Sequence, residues 1–251
     1  MYQNYIFDLY GTLVDIRTDE YSPDFWRRAA AVFARAGASY TPGELSGAYR
    51  RYTRRAMMIE RARRPFWRSH DIELLDVFAR LLKDKGVAPT EEMTRALARR
   101  FRKTSTEFIR LYDGAYDLLE SLKKAGKNIY LLSNAQECFT VPELEELGII
   151  GFFDGILISS QERVCKPEKA FFERLIKRYG IDTSRSVMIG NDANSDMRGA
   201  EKAGIDGLYI HQEISPEVEA ERLIPAKWRI MDGDVYKIKE LVLRPAEVEN
   251  G

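Results

Sequence analysis

Hydrophobic and polar positions follow two different rhythms along this chain. At the start, Tyr5-Ile6-Phe7 is an apolar run that stops at Asp8, with Gly11 and Thr12 behind it. That pattern predicts a short buried strand carrying an acid at its C-terminal end and then a turn. From about Asp24 to Phe108 the spacing is helical, and no strand is expected. Phe25, Ala29, Val32, Phe33 and Ala36 form one stripe ended by Gly37. Leu45, Ala48, Tyr49 and Tyr52 form a second, and Ile72, Leu75, Val77, Phe78, Leu81 and Leu82 a third, closed by Gly86. Thr90 ahead of Glu92 and Met93 predicts a helix start, with that helix running through Leu97 and Phe101 to Phe108.

From Tyr112 the rhythm changes to alternation. A helix through Leu118, Leu119 and Leu122 ends at Gly126, and a strand over Asn128–Leu132 ends at Ser133-Asn134. A helix near Val141–Leu147 precedes a strand at Gly155–Ile158 and a helix over Glu168–Tyr179. A strand at Ser186–Ile189 ends at Gly190, another helix closes near Gly204, and Gly207–Ile210 is a further strand. Alternation of this kind predicts right-handed crossovers and a parallel sheet, so the fold class is α/β. The first strand belongs to the same sheet, which makes the helical block an insertion. The expected division is residues 1–15 plus 112–251 as a doubly wound core and 16–111 as an all-helical unit. Pro245 to Gly251 reads as a polar tail.

Composition narrows the partners. A hydrophobic fraction of 45% with 31% charged residues is that of a globular chain. Lys plus Arg and Asp plus Glu are 39 each, so overall charge points to neither nucleic acid nor membrane. No apolar run approaches the roughly 20 residues of a membrane span. Cys138 and Cys165 are the only cysteines, too few for a disulfide framework, and are expected as free thiols. With no leader-like start, the expected location is the cytoplasm.

Polar residues sit just after several predicted strands: Asp8 with Thr12, Ser133 with Asn134, and Asp192 with Asp196. Lys166 lies in a loop between the last two sets. A doubly wound sheet brings such positions to one edge, the edge at which open α/β folds bind ligands. Singly, each residue could be a turn serine, a solvated lysine or a capping acid.

Together they resemble the four ordered motifs of the haloacid dehalogenase superfamily of hydrolases. Asp8-Leu9-Tyr10-Gly11-Thr12 is similar to its first motif and Leu131-Leu132-Ser133-Asn134 to its second. Cys165-Lys166-Pro167 is similar to the third, and Ile189 through Asp196 to the fourth. The match covers nearly the whole chain outside the inserted helices. The resemblance implies a Rossmann-like core with a helical cap, and a hydrolase working through Asp8 as nucleophile. Ser133, assisted by Thr12, would hydrogen-bond the transferring group, with Asn134 beside it as a further substrate contact. Lys166 would balance the charge of nucleophile and substrate. Asp8, the backbone carbonyl of Tyr10, and Asp192 or Asp196 would hold Mg²⁺.

Two departures pull in opposite directions. The family's phosphatases usually carry a second Asp two residues after the nucleophile, as general acid and base, where this chain has Tyr10. Tyrosine ionises near pH 10 and is a poor base at neutral pH. It is similar to the family's metal-independent 2-haloacid dehalogenases. Those enzymes, however, carry neutral residues in part of the fourth motif, and a tyrosine where this chain has Phe172. Asp192 and Asp196 beside Asp8 call for a cation between them. The leading expectation is therefore a Mg²⁺-dependent phosphatase acting on a small, anionic, phosphorylated metabolite. A dehalogenase, and a slow or non-catalytic anion-binding homologue, are the alternatives. Asn191 stands between Gly190 and Asp192, which leaves open whether Asn191 or Asp192 faces the metal, with Asp196 the firmer ligand.

The inserted block holds Arg50, Arg51, Arg54, Arg55, Arg61, Arg63, Arg64 and Arg68, with Glu60 the only acid from Leu45 to Arg68. The simpler expectation is a solvated helix face, the alternative an anion-gathering surface over the site. Trp26 and Trp67 are expected in the cap core, and His70 and His211 are too isolated to form a catalytic pair.

Overall fold

A computed structural model describes residues 2–243; the polar tail predicted from Pro245 onward lies outside them. In chain order the strands are β1 (Asn4–Phe7), β2 (Val14–Thr18), β3 (Thr106–Leu111), β4 (Asn128–Ser133), β5 (Gly155–Ile158), β6 (Ser186–Gly190), β7 (Asp206–Ile210) and β8 (Trp228–Ile230). The helices are α1 (Pro23–Arg35), α2 (Pro42–Arg63), α3 (Leu74–Asp84), α4 (Glu91–Ser105), α5 (Ala115–Lys124), α6 (Glu137–Glu146), α7 (Ser159–Glu162), α8 (Lys169–Tyr179), α9 (Arg198–Ala203) and α10 (Tyr236–Leu243).

One parallel sheet runs β5-β4-β1-β6-β7-β8. Its central strand is buried on both faces, and the period of two divides its side chains. Tyr5 and Phe7 pack under α5 and α10, with Leu118, Leu119 and Ile238. Ile6 packs on the other face with Phe171, Phe172 and Leu175 of α8. Helices on both sides of a parallel sheet are what this alternation requires. β1 lies between β4 and β6, so the chain leaves it at the point where strand order reverses. The C-terminal ends of these three strands form one crevice.

Helices α1 to α4 pack around Phe25, Phe33, Phe78 and Phe101, all fully buried. Their starts are set locally. The Ser22 hydroxyl accepts from Phe25 N, Thr41 and Glu44 make a reciprocal capping box, and the Thr90 hydroxyl accepts from Met93 N. Trp26 belongs to this cluster, as expected, but Trp67 does not. It packs toward the core, between the guanidinium groups of Arg64 and Arg174.

The helical block is not free of strands. The expected helix to Phe108 stops at Ser105, and Thr106–Leu111 pairs antiparallel with Val14–Thr18. Thr106, Phe108 and Ile109 favour an extended backbone once a partner is present. That partner is about ninety residues away in sequence, beyond any local periodicity. β8 and α10 were likewise not anticipated. β8 is a three-residue edge strand, too short to show alternation.

Candidate active site

The sheet delivers Asp8, Ser133 and the 190–196 loop side by side. Asp8 follows Phe7 directly and is 8% exposed, its N–H donating to Ile189 O at 2.9 Å. Lys166 reaches in from the loop after α7 and is almost completely buried. Its Nζ donates to Asp8 Oδ1 at 2.6 Å and to Leu132 O at 2.7 Å, and lies 2.7 Å from Asp196 Oδ1. The contact with Asp196 is Coulombic rather than a well-aligned hydrogen bond, for that oxygen has no hydrogen-bond partner among the described residues. Burial alone would lower the ammonium's pKa, but Asp196 and Asp8 outweigh it and hold it above its usual value. Burial pushes Asp196 up to about 7, opposed by Lys166 and reinforced by Asp8.

Ser133 lies on the other side of Asp8, with its hydroxyl donating to Asp8 Oδ1 at 3.4 Å. The second carboxylate oxygen, Asp8 Oδ2, makes no hydrogen bond among the described residues. Asn134 has a different occupation. Its carboxamide oxygen accepts from Lys166 N at 2.8 Å and its NH₂ donates to Lys166 O at 3.1 Å. This two-point grip sets where the lysine leaves its loop. Thr12 is fully buried and its hydroxyl meets Asn191 Oδ1 at 3.4 Å.

The fourth motif separates its two acids. Asp192 is an N-cap: its Oδ1 accepts from Asn194 N at 2.8 Å and Ser195 N at 3.1 Å, opening the π-helical turn Ala193–Met197. Asp196 folds back so tightly that a Cβ on Gly190 would stand 2.3 Å from its Oδ2. Only glycine leaves it that room. Asn191, 5% exposed, lies against Gly11, whose added Cβ would fall 2.1 Å from the Asn191 amide nitrogen. Gly11 also has a φ of +79°, a conformation side chains disfavour.

These placements change the argument for a cation. Repulsion among Asp8, Asp192 and Asp196 would call for one, but Lys166 stands between the first and third, and the second has its Oδ1 committed to backbone N–H groups. Among the described residues no group of three or more His, Cys, Asp or Glu side chains could hold a metal ion. The first strand and its turn still offer Asp8 and the Tyr10 carbonyl as donors. Mg²⁺ commonly rests on one or two carboxylates and completes its shell with substrate phosphate and water, and these residues fit an ion shared in that way.

Tyr10 is turned away from Asp8. Its hydroxyl donates to Glu143 and lies 3.1 Å from Thr140 Oγ1, and Arg102 sits over its ring. Burial, then the Glu143 charge, drives its pKa far above the ordinary range, so it neither gives nor takes a proton near neutral pH. Glu143 in turn accepts from Arg102 Nε at 2.7 Å. Tyr10, at the position where the family usually has a second acid, thus ties the loop after β1 to α6 and the cap helix α4. No local signal in the sequence links residues 10, 102 and 143.

Cys138 and Cys165 are free. On α2, Arg63 and Arg64 pair with Glu60, while Arg50, Arg51, Arg54 and Arg55 line the outer surface with Met58.

Comparison with known proteins agrees with this architecture. Residues 2–204 match the model of the haloacid dehalogenase-like hydrolases. A glyceraldehyde 3-phosphate phosphatase of Methanothermobacter thermautotrophicus is 33% identical over 114 residues, 45% of this chain and 49% of the relative. A phosphoserine phosphatase of Thermus thermophilus is 28% identical over 141 residues, 56% of this chain and 55% of the relative. The chain thus spans about half the length of these curated relatives. A solved 2-haloacid dehalogenase from Pseudomonas syringae pv. Tomato superposes with a TM-score of 0.64 at 18% identity, over 97% of this chain and 99% of that one. No helix among the described residues is long and apolar enough to cross a membrane. A doubly wound sheet with an inserted helical cap, four motifs gathered at one edge, and a family match over most of its length make this chain a member of the haloacid dehalogenase-like hydrolase family.

Proposed function

We propose that the chain hydrolyses a small phosphorylated metabolite through a covalent ester on Asp8. The observation that carries this reading is the buried Asp8–Lys166–Ser133 group, in which one carboxylate oxygen is held and the other is left open. The phosphatase names of the sequence relatives support phosphorus rather than carbon as the atom attacked. Lys166 holds Oδ1 in place, so Oδ2 attacks phosphorus and the bond to the leaving oxygen breaks, that oxygen taking its proton from solvent. Lys166 and Ser133 face the charge gathered on the phosphoryl group. Water then attacks the phosphorus, the bond from phosphorus to Asp8 Oδ2 breaks, phosphate leaves with a proton lost to solvent, and the Asp8 carboxylate is restored. Bound Mg²⁺ would neutralise phosphoryl charge from its place on Asp8 and the Tyr10 carbonyl. The cap, proposed to comprise residues 16–111 against a core of 1–15 and 112–251, would exclude water and select the metabolite. The β2–β3 ribbon crosses the first of these boundaries and ends at the second. Two free cysteines suit a reducing compartment, and the cytoplasm is the proposed location.

One set of observations favours a second reading, displacement of halide from a 2-haloacid. Lys166 already answers both Asp8 and Asp196, and Tyr10 offers no proton. A leaving halide needs neither a cation nor an acid. The deciding assay sets p-nitrophenyl phosphate against 2-chloropropionate, each with Mg²⁺ and with EDTA. Phosphate release abolished by EDTA is expected. Halide release that EDTA leaves untouched would replace the first reading with the second. No turnover of either, or of a wider panel of phosphorylated metabolites, would leave an anion-binding homologue. Asp8→Asn is expected to abolish turnover.

A further inference from the structure

Between α2 and α3 the cap sends a strap, residues 64–73, across the loop that carries Lys166. Backbone and side-chain contacts fasten it. Arg68 N and Ser69 N donate to Glu168 Oε1 at 2.7 and 3.0 Å. His70 and Val164 form an antiparallel bridge, and Cys165 Sγ donates to His70 O at 3.6 Å. Asp71 N donates to Arg163 O at 3.4 Å.

The side chain of Asp71 carries the strap one layer deeper. Its Oδ2 accepts from Ser159 Oγ at 2.5 Å, and its Oδ1 accepts from Ile72 N at 2.7 Å and Gln136 Nε2 at 3.2 Å. Ser159 is fully buried, and its Oγ accepts from Ala135 N at 2.8 Å. Gln136 is held from a second side, its Nε2 donating to Ile72 O at 2.9 Å and its Oε1 accepting from Leu74 N at 2.9 Å. Residues 133–136 therefore leave β4 with both ends specified. Ser133 faces Asp8, Asn134 grips the main chain of Lys166, Ala135 is held by Ser159, and Gln136 is held by the strap.

We propose that Asp71 is a positioning residue for the Ser133–Asn134 loop and, through Asn134, for Lys166, so that docking of the cap strap and alignment of the site are one event. The proposal rests on Asp8, Ser133 and Lys166 forming the site. Asp71 touches none of the reacting atoms. Its effect passes through Ser159 and Gln136 to a loop whose own side chains face Asp8. With Asp71 removed, Ser159 can turn its proton to Ala135 O, 3.2 Å away, and the loop keeps its fold but loses its outer anchor.

The test compares the full-length chain with Asp71→Ala, Asp71→Asn and Ser159→Ala. Amide hydrogen exchange is read in peptides covering 132–137 and 163–168, with 77–82 and 97–101 as cap controls. Exchange is expected to rise about tenfold in the two loops for Asp71→Ala and Ser159→Ala, with the controls unchanged. On p-nitrophenyl phosphate, kcat is expected to fall between about ten- and a hundredfold with KM within about threefold, the signature of misplacement rather than lost binding. Asp71→Asn keeps an acceptor and is expected to return kcat to within about threefold of the parent. Unchanged exchange in both loops for both truncations would overturn the proposal, as would a kcat unaffected by either. If Asp71→Ala does not fold, Ser159→Ala decides. If the parent turns over no substrate, the function reading fails and exchange alone decides the strap.

Discussion

Replacing Lys166 by methionine keeps an unbranched side chain one atom shorter and deletes the charge, which tests what the ammonium does. In the native chain it stands 2.6 Å from Asp8 Oδ1 and 2.7 Å from Asp196 Oδ1, with its own side chain 1% exposed. Two oxygens touching one nitrogen lie within about 5 Å of each other. At an effective dielectric near 20, their repulsion without the cation is roughly 3 kcal/mol. Breaking a buried pair by removing one partner typically costs about 3–5 kcal/mol, the same size. For a domain of this length that corresponds to a melting temperature lower by about 6–20 °C. Adding Asp196→Asn to Lys166→Met removes the second charge and is expected to recover about 2 kcal/mol or more, measured by urea unfolding in a double-mutant cycle. Activity is expected to fall at least a hundredfold in both variants, because the charge on the phosphoryl group then has no ammonium to meet it. A Lys166→Met chain within about 1 kcal/mol of the parent would refute the reasoning, as would a cycle with no coupling.

Other expectations follow from the same geometry. Tyr10→Phe deletes a hydroxyl bound to Glu143, which keeps Arg102, so a loss of about 1–2 kcal/mol is expected by denaturant titration, with turnover within about threefold. With Tyr10 in place of the usual second acid, rates should fall steeply as the leaving alcohol becomes less acidic, by roughly a hundredfold or more from p-nitrophenyl to alkyl phosphates; a flat dependence would point to another proton donor, such as Asp196. Titration calorimetry should show weak Mg²⁺ binding alone and tighter binding with tungstate present, since the chain offers few donors of its own; equal affinity in both would contradict a shared ion. Asp192→Ala should cost about 1 kcal/mol of stability as a lost cap and change Mg²⁺ affinity little.

Much of this architecture was legible in residues alone. Alternating strands and helices after Tyr112 predicted the parallel sheet, and the apolar stripes around Phe25, Phe78 and Phe101 predicted the inserted helices. Both signals are local, because burial of one helix face or both strand faces writes its period into the sequence. The ribbon of β2 and β3 was not legible, because neither strand has a reason to extend until the other, far along the chain, lies beside it.

The polar residues divide in the same way. Sequence placed Asp8, Ser133 and the 190–196 loop at the ends of strands, and strand order then made them neighbours. Which acid does what was decided only in three dimensions. Asp192 and Asp196 are both aspartates of one short loop, yet one caps a helical turn and the other pairs with a buried lysine, because Gly190 leaves space for the second alone. Asn134, read as a substrate contact, spends its carboxamide on Lys166. Tyr10 is the clearest case. Its identity announced that the usual proton shuttle is missing, but only the packing of α4 and α6 shows its hydroxyl committed to Glu143. Residue type and local period determine which elements form and what chemistry is within reach; a side chain's partner depends on long-range contacts, which no local pattern encodes.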